Sequence, residues 1–295
     1  MVRILVTGGD GQLGTALRRI RWPEGHEAVA LGRAAFDLAD AAAIAARVVD
    51  GGFAAVINAA AYTAVDRAEE EVAAAWAVNA LAPAALGEAC RRADIPLVQI
   101  STDYVFNGDK AGAWEPDDAV GPLGVYGASK LGGELAVRTS GARHAIVRTS
   151  WVVSAHGHNF VKTMLRVGAE RGHLRVVDDQ HGAPTSAADL AAALQRITLR
   201  LIEDRAAPSG TWHFSNAGTT TWCGFARAIF ERAAARGGPS PSVEAIATAD
   251  YPTPAKRPHH SVLSHATLTR DFGIEPRPWQ AALDDILDEL IGART

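Results

Sequence analysis

At 295 residues with a formal net charge of −4, the chain is too long for a stapled miniprotein and has no basic field to draw nucleic acid or an anionic membrane surface. Its two cysteines, Cys90 and Cys223, lie far apart with no Cys/His cluster, which argues against a disulfide framework and a structural zinc. The apolar start Val2–Val6 is cut short by glycines, and no uninterrupted apolar run reads as membrane-spanning, so a soluble cytoplasmic protein with a small ligand is expected.

The first predicted strand, Arg3–Thr7, runs into Gly8-Gly9-Asp10-Gly11-Gln12-Leu13-Gly14 and a predicted helix over Leu13–Arg21. The stretch reads as GxGxxG from Gly9 and as TGxxGxxG from Thr7. Between a strand and a helix, such glycines allow the tight turn, admit a pyrophosphate against the backbone and pack the helix on the strand. The helix N-terminus adds free N–H groups for the anion. Gly8, Gly11, Gln12, Leu13 and Gly14 are therefore candidate dinucleotide contacts.

A second strand, Ala28–Leu31, ends at Gly32-Arg33, where an acidic residue would grip the adenine ribose. Arginine there favours a 2′-phosphate, hence NADPH, with NADH the alternative. Asp37 and Leu38 are placed near the adenine, and Asp40 is the expected N-cap of a helix over Ala41–Val49. The third strand, Ala54–Asn58, leads into Ala59-Ala60-Ala61-Tyr62, where small side chains let the backbone approach a bound dinucleotide. Ala60, Ala61 and Tyr62 join the cofactor set. A helix over Ala73–Arg92 carries Asn79, whose amide is placed to reach a catalytic lysine through water.

The fourth strand, Leu97–Ser101, brings Ser101-Thr102 to the carboxyl edge of the sheet, where a hydroxyl can polarise a carbonyl substrate. Tyr126-Gly127-Ala128-Ser129-Lys130 opens the next helix, Tyr126–Arg138, with a phenol and an ammonium on one face. The ammonium is expected to pull the phenol's pKa from about 10 toward working pH, making Tyr126 a proton donor. After a fifth strand, Ala145–Thr149, the rhythm becomes irregular: helix Phe160–Arg171, strand Leu174–Val177, helix Ala187–Ile202, strand Thr211–Phe214, then a mixed segment. Its proline-rich stretch Tyr251–Pro258 reads as an ordered loop.

The alternation of strands and helices predicts an α/β chain with a Rossmann-type doubly wound parallel sheet. It would span residues 1–152, with 180–215 returning to it. A smaller C-terminal α+β substrate-binding lobe would take 153–179 and 216–295.

Six motifs together resemble the extended short-chain dehydrogenases/reductases, and among them the dTDP-4-dehydrorhamnose reductase family. They are Thr7–Gly14, Val56–Asp66, Ser101–Gly108, Tyr126–Lys130, Arg148–Trp151 and Asp178–Thr185, with Pro254–Pro258 as a late match. The resemblance covers nearly the whole chain. It implies reduction of the C4 ketone of dTDP-4-dehydro-β-L-rhamnose by NADPH or NADH, with Tyr126 as proton donor. Lys130 would hold the nicotinamide ribose and Thr102 would adjust the tyrosine's acidity. Thr63, Val65, Thr102, Asp103, Tyr104 and Trp151 would contact the sugar nucleotide, and Arg257 would clamp its diphosphate.

The chain departs from the family pattern at His259-His260, where Ala-Asn is usual, and Thr15-Ala16 offers no carboxylate for the magnesium some relatives bind, so no metal is expected. Dehydratases of the same fold carry Asp-Glu after the strand-end threonine; Asp103-Tyr104 stands here, which favours simple ketone reduction over water elimination. An epimerase or a non-catalytic NADP-binding subunit are the competing readings. Oligomeric state stays open, a homodimer being the assembly to test.

Overall fold

The computed structural model describes residues 1–293. The first half builds β1 (Val2–Thr7), α1 (Gln12–Arg19), β2 (His26–Leu31), α2 (Ala41–Val49), β3 (Ala55–Asn58), α3 (Val65–Ala68), α4 (Val72–Trp76), α5 (Ala82–Ala93), β4 (Leu97–Thr102), α6 (Val125–Thr139) and β5 (His144–Thr149). The second half builds β6 (Val152–Val153), α7 (Phe160–Glu170), β7 (His173–Val177), β8 (His181–Gly182), β9 (Thr185–Ser186), α8 (Ala187–Glu203), β10 (Gly210–His213), β11 (Thr220–Thr221), α9 (Trp222–Ala234), β12 (Ser242–Ile246), α10 (Ala266–Phe272) and α11 (Trp279–Ile291).

Six parallel strands form the main sheet in the order β2-β1-β3-β4-β5-β10. Central strands of such a sheet are covered on both faces, so they carry near-continuous apolar runs. Every residue of β3 and β5 is accordingly buried. One face packs on α1 and α8 through Leu13, Leu17, Leu190, Leu194 and Ile197. The other packs on α2, α5 and α6 through Ile44, Val48, Leu86 and Val137. Because β2 and β3 lie on opposite sides of β1, the chain reverses direction there, which places a crevice at the carboxyl edge of the sheet.

Asp40 caps α2, its carboxylate accepting from the Ala42 and Ala43 amides. The single helix expected over Ala73–Arg92 is instead α4 and α5 joined by a π turn, Ala77–Leu81. Pro83 explains it: four residues after Asn79, it has no N–H to give that carbonyl, and the ladder slips so that the Ala82 amide reaches back five residues to Ala77. The whole run Val72–Ala93 is long and apolar enough to cross a membrane by length and composition, although Asn79, Pro83, Glu88, Arg91 and Arg92 interrupt it. Its alanines raise the hydropathy, and the fold uses the run as a layer helix packed on the sheet and on α6.

Beyond β5 the chain alternates between two cores. α8 and β10 complete the sheet, while α7, α9 and α11 pack Val161, Phe225, Ile229, Leu283 and Leu287 into a second core. β12 pairs with β7 in parallel beside it. α10 then returns to the first core, burying Leu268 with Trp212 and Phe214. Both cysteines are buried and free.

Candidate active site

At the end of β1 the backbone turns through Gly8 at φ +68, a left-handed conformation that glycine adopts without strain. A Cβ there would lie 2.8 Å from the backbone of Ala60, and one on Gly14 would lie 2.2 Å from the Gly8 carbonyl. The first contact holds the β1 and β3 loops together; the second seats α1 tightly beneath them. Gly11 caps α1 without any side-chain hydrogen bond, leaving the first-turn N–H groups open.

These loops border a cleft of about 720 Å³. Its walls include Gly8, Gly11, Gln12, Leu13, Arg33, Asp37, Leu38, Ala60, Ala61, Tyr62, Thr63, Val65, Thr102, Asp103, Tyr104, Tyr126, Lys130 and Trp151. The sequence-predicted set thus converges on one cavity, apart from Gly14, Asn79 and Arg257. Gly14 lies under the loop, as its packing contact requires.

One wall carries the polar chemistry. Tyr126 and Lys130 lie one turn apart on α6, and Thr102 ends β4 beside them. Lys130 Nζ donates to the Ile100 carbonyl at 2.6 Å. Burial pulls the lysine down to about 8, partly offset by the Glu134 carboxylate. Burial likewise pushes the Tyr126 phenol up to about 12, against a hydrogen bond from Thr102 that favours the phenolate. The expected pull toward working pH is therefore reversed: the amine is turned to a carbonyl, and the low-dielectric wall outweighs the nearby hydroxyl. A fully protonated phenol is the form a proton donor needs.

Thr102 Oγ1 also donates to Asp103 Oδ1 at 2.9 Å and accepts from the Tyr104 amide at 3.2 Å. Its one proton serves either Asp103 or a Tyr126 phenolate, so the three groups are coupled. Asp103 is buried, with no hydrogen bond to Oδ2, and burial pushes its carboxyl up to about 6 against the Ser261 and Thr102 hydroxyls. Tyr104 meets Tyr126 edge-on, ring centroids 5.5 Å apart. Ser101 Oγ, also on the cleft wall, is buried without a partner.

Three residues have surroundings that sequence did not indicate. Asn79 is off the cleft, clamping the Tyr62 backbone through Oδ1 (2.9 Å from its N–H) and Nδ2 (3.1 Å from its carbonyl) and donating to Ser129 Oγ at 3.0 Å. The π turn aims it sideways at those groups rather than through water at Lys130. Arg257 is off the lining too, paired with both oxygens of Asp66 at 2.8 and 3.1 Å. Trp151, at φ +45, stacks on Trp222 with centroids 3.6 Å apart. Arg33, by contrast, stands exposed at the cleft mouth with no hydrogen bond or ion pair among the described residues.

Trp222, His158 and Ser150 line the cleft as well, and Gln12 ties the glycine loop to the second half of the chain. Its amide nitrogen donates to the Val152 carbonyl at 3.3 Å, and its oxygen accepts from Ser154 and Asn159 at 3.0 and 2.9 Å. No local signal marks Trp222 or Ser150, since Trp222 is brought in by its stack on Trp151 and Ser150 is held by the Ala183 carbonyl; Gln12 was marked by its glycine loop, but not its bonds across more than 100 positions.

The family model described as RmlD substrate binding domain matches residues 2–291. A dTDP-4-dehydrorhamnose reductase of Sinorhizobium fredii is 42% identical over 280 residues, 95% of this chain and 94% of its own length. The crystal structure of a dTDP-4-dehydrorhamnose reductase from Clostridium acetobutylicum superposes with a TM-score of 0.90 at 36% identity, covering 98% of this chain and 99% of that one. The Bacillus anthracis dTDP-4-dehydrorhamnose reductase, solved in complex with NADP, gives the same TM-score at 34% identity over 98% and 99%. With match and coverage nearly end to end, the chain belongs to the RmlD substrate-binding-domain family, the dTDP-4-dehydrorhamnose reductases.

Proposed function

We propose that the cleft reduces the C4 ketone of dTDP-4-dehydro-β-L-rhamnose to the alcohol of dTDP-β-L-rhamnose, with NADPH as reductant and Tyr126 as proton donor. The reduction and the nicotinamide cofactor are those of the family to which the chain belongs. The observation that carries the residue roles is that one cavity joins an uncapped helix N-terminus and glycine cradle to the Thr102, Tyr126 and Lys130 wall.

The residues present fit a dinucleotide. The cleft is lined by glycine and alanine where its backbone contacts would fall, at Gly8, Gly11, Ala60 and Ala61, and the open N–H groups of α1 suit a pyrophosphate. Unpaired Arg33 suits a 2′-phosphate, and Lys130 suits the nicotinamide ribose. When bound, NADPH supplies a hydride to C4 of the sugar. Tyr126 then gives its phenolic proton to the former carbonyl oxygen, while Thr102 hydrogen-bonds that oxygen or the phenolate left behind. Trp151 and Trp222 form an aromatic wall suited to a deoxysugar methyl. Arg257 reaches the diphosphate by exchanging Asp66 for it, one anion for another.

In this reading residues 1–152 and 180–215 serve the cofactor, and 153–179 with 216–295 serve the sugar nucleotide. The protein acts as a soluble cytoplasmic enzyme on a small molecule, with neither nucleic acid nor membrane as partner. The test is NADPH consumption by the purified protein with dTDP-4-dehydrorhamnose made in situ, beside UDP- and GDP-linked 4-keto sugars. Turnover of the dTDP sugar is expected, and Tyr126→Phe should lower kcat by about 10²–10⁴-fold with NADPH still bound. Tightly retained NAD⁺ with no NADPH consumption, or full activity in the variant, would refute it.

A further inference from the structure

The carbonyl that holds Lys130 also terminates a buried chain of polar side chains. Thr7, Asn58 and Gln99 stand side by side across β1, β3 and β4, in register and 0–2% exposed. The Ala60 amide donates to Thr7 Oγ1 (3.3 Å), the Thr7 hydroxyl to Asn58 Oδ1 (2.5 Å), the Asn58 amide to Gln99 Oε1 (2.8 Å) and the Gln99 amide to the Ile100 carbonyl (2.9 Å). Lys130 Nζ reaches that same oxygen. β3 ends at Asn58, opposite Gln99, so Ile100 lies one residue past the last pairing on that side. Its carbonyl there is open to side chains.

Both ends impose the direction. A backbone N–H can only donate and a carbonyl can only accept, so neither amide can be turned round without stranding a buried polar atom. Three buried polar residues side by side across central strands cost more to desolvate than valines would. What they achieve lies at the end of the chain. Four dipoles aligned head to tail place a positive end on the oxygen that the lysine uses, and two donors share its lone pairs.

We propose that Gln99 is a positioning residue for Lys130: its amide, oriented by Asn58 and Thr7, fixes where the Ile100 carbonyl stands and how strongly it binds the lysine ammonium. This rests on the reading of Tyr126 and Lys130 given above. It also makes the lysine one mechanical unit with Ala60, the backbone that meets Gly8 behind the cofactor site. The charged groups around the lysine are Glu134 on α6, itself paired to Arg148 on β5 and to Arg138, and on the cleft side Asp103, which faces Tyr126.

Gln99→Glu separates donation from shape. A protonated glutamic acid can still donate to Ile100, whereas the ionised form sets a second acceptor against that oxygen; burial raises the pH at which the change occurs. Its kcat should approach wild type at the acidic end and fall about tenfold as pH rises, with the KM for the sugar nucleotide unchanged. Gln99→Met, with no donor, should be low throughout. In cofactor-free protein, the pH dependence of Lys130 acylation, followed by mass spectrometry, should move to higher pH in Gln99→Met as Ile100 is freed. It should move less in Thr7→Val, which cuts the chain at its far end. Folded Gln99 variants with the wild-type kcat profile and the wild-type Lys130 titration would overturn the proposal. Should the wild type consume no NADPH, the assigned reaction fails, and the acylation profile still decides the role of Gln99.

Discussion

At the scale of single residues, burial in the cleft wall moves titratable groups away from the values they have in water. Asp103 is the clearest, with a carboxyl pushed up to about 6 by burial and one oxygen unpaired. Its folded-state value lies above the unfolded one of 3.8, so the native protein binds the proton more tightly between those limits. The stability this contributes is complete below pH about 4 and is lost as pH rises through about 6. Asp103→Asn cannot ionise and should not show that loss. Denaturant titrations should find the variant gaining on wild type by roughly 2–3 kcal/mol between pH 4 and 7. Parallel stability curves over that range would mean that Asp103 is solvated or paired in the folded protein. A buried charge kept at such a cost beside Thr102 and Tyr126 is what functional sites hold and packing alone would discard.

At the scale of elements, α6 must present Tyr126 and Lys130 at a set height above β4. Its far anchor is a buried ion pair, Arg148 of β5 with both oxygens of Glu134 at 2.8 and 2.7 Å. Arg148 also donates to the Pro116 carbonyl and lies over the Phe106 ring. Removing one partner of such a pair strands the other, so Glu134→Gln should lose about 3 kcal/mol or more of stability. Glu134→Leu with Arg148→Met should recover much of that, and a Glu134→Gln variant as stable as wild type would show the pair to be dispensable. The pair is not marked in sequence, since Glu134 sits at an ordinary helix position and Arg148, though it opens a motif, carries no sign of its partner. The same limit runs through the fold. The five strands and the helices α1, α2 and α6 of the first half were legible because a buried parallel strand and an amphipathic helix each have a period, whereas α3 was too short to show one and the α4–α5 run read as a single helix. Two-residue strands such as β6 and β9 have none, and α9, β12, α10 and α11 went unnamed in a segment of mixed pattern. Of the candidate site, the glycine loop, Thr102, Tyr126 and Lys130 could be read because their spacing is local. Asn79 was found as a residue but not as a contact, because a π turn set by Pro83 decides where it points.

At the scale of the whole molecule, the chain crosses between its two cores repeatedly, and the cleft belongs to both. Gln12 of the first core is bonded to Val152, Ser154 and Asn159, and α10 buries Leu268 in the first core after α7 and α9 have built the second. Neither core can open without breaking these ties, so unfolding should be a single transition. The tryptophans offer a direct check, since Trp212 reports the first core and Trp279 the second, with Trp151 and Trp222 packed against the latter. Thermal curves followed by tryptophan fluorescence and by far-UV circular dichroism should coincide. NADPH at 100 times its Kd stabilises the folded state by about 2.7 kcal/mol if it binds only there. Because the cleft proposed to hold it is walled by residues of both halves, that gain should raise both curves together. If NADPH instead split them, shifting the two curves by different amounts, the cores would unfold as independent units, and the bonds through Gln12 would be too weak to couple them.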